Sequence, residues 1–130
     1  MNTAESAMAY KRQQIMTASP AELTLMLYNG AIRFINESIM ALENGDMPKS
    51  HNANIKAQNI VREFMVTLDM QYEISQSWAS LYEYIHYRLV QANLKKDREM
   101  LVEARGLLTE LRDTWHQAMK AVRVPEAVGK

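Results

Sequence analysis

The sequence predicts an all-α protein: an antiparallel up-down four-helix bundle with a short N-terminal arm or partial helix. Three observations carry that prediction. Glycine and proline are scarce, at 4 and 3 of 130 residues. Averages are about 7% and 5%, so little material is left for the turns of a β fold. Apolar residues recur at helical spacing through four long stretches. The breaks between those stretches are short, as expected for antiparallel helical neighbours.

The first long helix starts at Ser19-Pro20-Ala21-Glu22. A serine followed three residues later by glutamate can exchange side-chain and backbone hydrogen bonds, and proline suits the first helical position. Leu23, Leu27, Ala31, Phe34 and Leu42 then keep one helical phase to about Glu43. Asn29-Gly30 would signal a hairpin between strands, but the 3.6-residue period runs through it. Gly30 is therefore read as an in-helix glycine that lets another backbone come close. Asn44-Gly45-Asp46 is a stop followed by a start, with Asp46 as N-cap and Pro48 in the next first turn.

The second long helix places Ala53, Ala57, Ile60, Phe64 and Leu68 on one stripe, with Val61 and Met65 beside it. A polar stretch from Asp69 to Ser77 separates it from the third, which carries Trp78, Leu81, Tyr82, Ile85, Leu89 and Ala92. Lys95-Lys96-Asp97 ends that helix, with both charge signs where the helix dipole prefers them. The fourth runs through Leu101, Ala104, Leu108, Leu111, Trp115, Ala118 and Val122, and Pro125 follows its expected end. Before the first long helix, Ala4 to Met16 is short and weakly amphipathic. The resulting organisation is an arm over 1–18 that can cap a groove, a bundle over 19–123 and a flexible tail over 124–130.

At 15.0 kDa the chain suits one domain, and this length buries about two thirds of its unfolded surface without a disulfide or metal staple. Fifteen basic and fifteen acidic side chains balance to zero, which argues against a dedicated nucleic-acid or anionic-lipid binder. The absence of cysteine removes thiol catalysis, thiolate metal sites and disulfides, and fits a reducing compartment. Met1 to Tyr10 has no signal-peptide core, and no stretch approaches 18 uninterrupted apolar residues. A cytoplasmic location is expected, without membrane insertion.

Ten methionines suit an irregular helical core and equally a surface that must accept another helix. The first long helix is more apolar than one buried face requires: Leu25, Met26, Tyr28, Ile32, Ile35, Ile39 and Met40 surround its stripe. That surplus must be covered by the arm, a second subunit or a partner. Tyr82, Tyr84 and Tyr87 beside Arg88 cannot all face one core, and a tyrosine at a surface has the makeup of a binding hot spot.

Catalytic chemistry finds little support. A di-metal carboxylate site needs Glu-x-x-His on two helices and a carboxylate from each of the others. Glu83-Tyr84-Ile85-His86 matches once and Asp113-Thr114-Trp115-His116 nearly so, but Glu83 and His116 sit opposite their apolar stripes. His51, His86 and His116 lie on separate helices, and no phosphate-cradling or zinc-protease motif occurs. No catalytic residue, metal ligand or cofactor is assigned. Lys95, Lys96 and Arg98 are interrupted by Asp97, a poor phosphate tracker. Arg33 is the one cation along the first long helix, too few for an interfacial membrane helix.

Three separated motifs carry a family resemblance. Thr17-Ala18-Ser19-Pro20, Glu22-Leu23, Met26-Leu27-Tyr28 and Gly30-Ala31 form the first. Leu81-Tyr82-Glu83-Tyr84-Ile85, Arg88-Leu89, Ala92-Asn93 and Asp97 form the second, and Leu111-Arg112-Asp113-Thr114-Trp115 the third. Together, from Ala7 to Val122, the chain resembles the flagellin-specific export chaperones of the FliS family. It departs at Glu83, where the family more often has Asp, and at Tyr87, where it more often has Arg. Arg88 is left as the basic residue of the usual pair.

The resemblance implies a non-enzymatic chaperone that binds the disordered C-terminal segment of newly made flagellin in the cytoplasm. Binding would block premature polymerisation and assist delivery to the flagellar type III export gate, with flagellin helices seated in apolar grooves that the arm covers when flagellin is absent. By motif position Tyr10 and Ile15 become gating residues of the arm. Met26, Tyr28, Tyr82, Tyr84, Arg88 and Asn93 become the client or export-gate surface. Phe64 joins them from the second helix's stripe. A di-metal enzyme and a homodimeric structural bundle are the alternative readings.

Overall fold

A computed structural model describes residues 3–128 of the chain, with side chains as far as Ala121. Five α-helices follow in order: α1 (Thr3–Thr17), α2 (Pro20–Glu43), α3 (Met47–Thr67), α4 (Ile74–Lys95) and α5 (Arg98–Val128). No strand occurs among the described residues. α2 packs on α3 and α5, and α4 packs on the same two, so four helices close a ring around one core. α1 is a full helix rather than a partial one, yet it buries no residue.

The helix boundaries come from local chemistry. Ser19 Oγ accepts from the Glu22 amide at 3.2 Å while the Ser19 amide donates to Glu22 Oε1 at 3.3 Å, with Pro20 leading the helix. Asp46 Oδ1 accepts from the Lys49 amide at 3.2 Å to start α3, just after Gly45 turns the chain at φ 76°. Lys96 closes α4 in the left-handed region, and Asp97 Oδ1 then accepts from the Glu99 amide at 2.9 Å. Each such cap stabilises its helix by about 0.5–2 kcal/mol. α5 continues past Pro125 to Val128, whereas the sequence predicts an end before the proline and a tail from 124. Near a terminus proline forfeits few backbone bonds, and Glu126 and Ala127 favour helix.

The buried stripe of α2 is Tyr28, Ala31, Ile35 and Ile39. The sequence reading runs that stripe through Leu23, Leu27, Ala31, Phe34 and Leu42; Ala31 is buried and Phe34 and Leu42 pack half-buried against the core, but Leu23 is only half-buried and Leu27 is exposed. The reason is that α2 is apolar on adjoining faces, so periodicity identifies a helix without selecting its inward direction. The other stripes lie as the pattern predicts: Ala57, Val61 and Phe64 on α3, Tyr82, Ile85 and Leu89 on α4, and Leu101, Ala104 and Leu108 on α5. Ala118 is exposed, beyond the last inward residues of α5.

Polar pairs set how these helices align. Along α2 and α5, Arg112 donates to Asn29 at 3.1 Å, Arg105 to Asn36 at 2.8 Å and Arg98 to Glu43 at 2.9 Å. Both series step by one heptad in opposite chain directions, so a slip of one turn would break every rung. Each half-exposed rung contributes about 1 kcal/mol or less, against several for a buried aromatic ring. The ladder therefore selects register while the core supplies stability. Between α2 and α3, the Ser38 and Ser50 hydroxyls meet at 2.9 Å and also bond each other's carbonyls. On the α3–α4 seam Asn54 Nδ2 donates to the Leu89 carbonyl at 3.1 Å.

Three aromatic rings occupy one end of the core. Tyr28 and Phe64 lie 4.5 Å apart between centroids, and Phe64 stacks on Tyr82 at 5.4 Å. The hydroxyls of Tyr28 and Tyr82 hydrogen-bond at 2.5 Å, and burial raises both phenol pKa values. With Tyr28 wholly buried and Tyr82 3% exposed, both rings are structural as well as candidate contacts. Tyr28→Ala should destabilise the protein by about 3–5 kcal/mol in denaturant titration. Tyr28→Phe, which strands the Tyr82 hydroxyl, should cost about 1–3 kcal/mol. A Tyr28→Phe protein as stable as wild type would show that the hydroxyl pair contributes nothing.

His86 Nε2 is buried without a partner, and burial, then the nearby Arg62, hold its pKa below the ordinary 6.5. The unfolded chain takes up a proton that the folded one refuses, so this group's effect on stability is absent well above pH 6.5. Stability falls as pH drops from 6.5 toward the folded value. Melting at pH 7.5 and 5.5 should show a drop in Tm that His86→Leu reduces; an equal drop in both proteins would acquit His86.

Candidate functional site

Because α2 turns Tyr28, Ile35 and Ile39 inward, its next face is left for the outside. Leu23, Met26, Leu27, Gly30 and Phe34 line a groove of about 570 Å³, closed on its α3 side by Ile60. Lys11 and Ile15 of α1 stand at its edge. The Phe34 ring has the Arg33 guanidinium 5.2 Å and the Lys56 ammonium 5.4 Å from its centroid, so cations rim an apolar floor. Gly30 opens the groove: a Cβ there would meet only Ile60 Cδ1, at 3.6 Å. The close approach predicted for this glycine is thus to a side chain, and no neighbouring helix backbone requires it.

A second concavity, of about 380 Å³, lies at the end of the helical ring where α2 begins. Tyr28, Phe64 and Tyr82 line it together with Trp78, Trp115, Tyr72 and Ile74. The indoles are fixed in place. Trp115 Nε1 donates to the Ala21 carbonyl at 3.0 Å, and Trp78 meets Tyr82 edge-on at 6.3 Å. The connection between α3 and α4 forms the mouth, held by Ser75 Oγ donating to the Asp69 carbonyl.

The sequence-predicted site residues fall in several places. Met26 and Ile15 share the α2–α3 groove, and Tyr28, Phe64 and Tyr82 line the end pocket. Tyr10 is exposed on α1. Tyr84 and Arg88 lie on the α4–α5 face, where both bond Glu103: the Tyr84 hydroxyl donates at 2.9 Å and Arg88 Nε donates to the other carboxylate oxygen. That shared carboxylate raises both the Tyr84 and Arg88 pKa values. Asn93 is near the opposite end of α4, hydrogen-bonded to His51 at 2.8 Å and to Lys96 at 3.0 Å. Sequence reading missed Leu23, Phe34 and Ile60 as groove residues because their spacing also fits a core stripe. It placed Trp78 and Trp115 on core stripes, and both do pack half-buried against the core while also lining the end pocket.

Glu83, Asp113 and His116 are exposed, and among the described residues no three His, Asp or Glu side chains gather as a metal site. No helix among the described residues is long and apolar enough to cross a membrane. The arrangement is built for apolar contact.

Comparison with known proteins accords with that chemistry. The sequence model for the family described as Flagellar protein FliS matches residues 1–122. The flagellar secretion chaperone FliS of Bacillus subtilis is 47% identical over 115 residues, covering 88% of this chain and 86% of that protein. Its Salmonella typhimurium counterpart is 35% identical over 124 residues, covering 90% and 92%. The crystal structure of a bacterial flagellar chaperone superposes with a TM-score of 0.73 at 18% identity, covering 92% of this chain and 99% of that one. The helical fold is shared with that structure, and the sequence belongs to the FliS family, which is a family of chaperones and not of enzymes.

Proposed function

We propose that this chain is a cytoplasmic export chaperone for flagellin, an antiparallel four-helix bundle with α1 as its arm. It binds the disordered C-terminal segment of flagellin, prevents premature polymerisation and assists delivery to the export gate. The observation that carries this reading is the groove between α2 and α3. An apolar channel lined by residues one helical turn apart suits the apolar face of a docking helix. Met26 supplies a side chain that adapts to irregular partners. The cations near Phe34 favour a segment with acidic residues on its flank.

α1 fits the role of a movable cover. It buries nothing, carries exposed Met8, Tyr10, Ile15 and Met16, and reaches the groove's edge through Ile15. A helix so little held can leave at small cost, and its presence shields apolar surface that would otherwise promote association. Tyr84, Arg88 and Asn93 lie away from the groove, and we assign them to the export-gate contact.

Calorimetric titration with a synthetic flagellin C-terminal segment tests the reading. Saturable one-to-one binding with a negative heat-capacity change and a gain of helical signal is expected; no binding at tens of micromolar would remove the function. Deleting residues 1–16, which leaves the Ser19 cap intact, should tighten binding several-fold. Weaker binding would make α1 part of the seat.

Gly30→Ala separates fold from function. Replacing an in-helix glycine without a clash should stabilise the protein by about 0.5–1 kcal/mol while narrowing the groove and weakening client binding. A variant with unchanged affinity would place the client elsewhere.

A further inference from the structure

We infer that Met26 is an oxidation site through which peroxide closes the α2–α3 groove to its client: the thioether becomes a sulfoxide, and an apolar channel acquires a strong dipole. This rests on the flagellin reading above and adds to it a regulation of that same site.

Methionine is where this chain meets an oxidant. The sequence holds ten methionines and no cysteine, so its sulfur is all thioether. Hydrogen peroxide transfers one oxygen atom to Sδ: a sulfur lone pair forms the S–O bond as the O–O bond breaks. The sulfur is oxidised by two electrons and the peroxide is reduced to water. Methionine sulfoxide reductases return the product to thioether, so the change acts as a switch rather than only as damage.

Position decides which methionine matters. Met8, Met16, Met40 and Met70 are each more than half exposed, so an oxygen added to any of them stays in water. Met100 packs against the core. Met26 is half-buried and, among the described residues, is the one methionine lining the groove. Leu23 lies one turn before it on α2 and Gly30 one turn after, with Ile60 on the α3 side. The groove, at about 570 Å³, admits peroxide, a molecule little larger than water.

A docking helix lays its apolar face on these residues. A sulfoxide oxygen among them would be stripped of water as the helix seats, without a partner to replace it. The side chain also stops being the adaptable apolar filler that suits an irregular partner. Met26 lies outside the core cluster, so the cost falls on binding and leaves the fold intact.

The test is graded hydrogen peroxide treatment of the full chain. Sulfoxide at each methionine is counted by peptide mass spectrometry, melting is followed in parallel, and the flagellin C-terminal segment is titrated after the peroxide is removed. Affinity should fall about tenfold or more at unchanged Tm. The fall should follow sulfoxide at Met26 rather than at the more exposed Met16 or Met40, and a pair of reductases covering both sulfoxide epimers should reverse it. Met26→Leu, whatever its starting affinity, should keep that affinity through the same treatment. Segment bound before the peroxide is added should protect Met26 selectively. A Met26→Leu protein that loses as much affinity as wild type would assign the effect to other methionines and overturn the proposal. So would full sulfoxide at Met26 with unchanged affinity, or a Met26 that oxidises only once the protein melts; in each case the flagellin reading survives. If untreated wild type fails to bind, the flagellin reading fails and this inference with it.

Discussion

α2 carries apolar side chains around more of its circumference than α3 and α5 can cover. Burying Tyr28, Ala31, Ile35 and Ile39 closes the core and leaves Leu27 exposed and Leu23 and Phe34 only half-buried. The arginine ladder to Asn29, Asn36 and Glu43 holds the helix in that rotation and register. The rungs are individually weak, but all would be lost together in a slip. Exposure of the groove is therefore a consequence of how the core is closed, and a partner can occupy it without unpacking the interior.

The same logic explains how contact and support are divided among the aromatic residues. Tyr28, Phe64 and Tyr82 form part of the core and, at the same time, line the end pocket. Residues that form such a surface must be rigid, since a surface that reorganised for each contact would lose binding energy to ordering. A substitution there would disturb the core along with any contact made at the pocket, so the informative positions are the exposed ones around the opening. α1 has the opposite character: it buries no residue, and in the reading proposed above it covers or uncovers the groove.

Much of the fold was legible in the sequence because helix boundaries are written locally. Ser19 with Glu22, Asp46, and Lys96-Asp97 each announce their role within four residues, and each plays it. The rotation of α2 was not legible, since two adjoining apolar faces satisfy the same period and only the positions of α3 and α5 decide between them. The site suffered from that ambiguity. Leu23 and Phe34 read as core because of their spacing, and Phe34 does pack partly against it, while Tyr28 and Tyr82 enter the candidate surface by motif position although Tyr82 also lies on its helix's apolar stripe. Gly30 was rightly placed within the helix, but its neighbour proved to be Ile60 rather than a backbone, which no local pattern could reveal. Pro125, a stop signal by every local rule, lies within α5.

The central claim is that the outward face of α2 with Ile60 is the seat of the client. Methyl NMR of methionine- and isoleucine-labelled protein, recorded as the flagellin C-terminal segment is added, tests it most directly. The account predicts shifts at Met26, Ile60 and Ile15, with Met40 and Met100 near the far end of the ring unmoved. Shifts confined to Met40 and Met100, with Met26 and Ile60 silent, would contradict it.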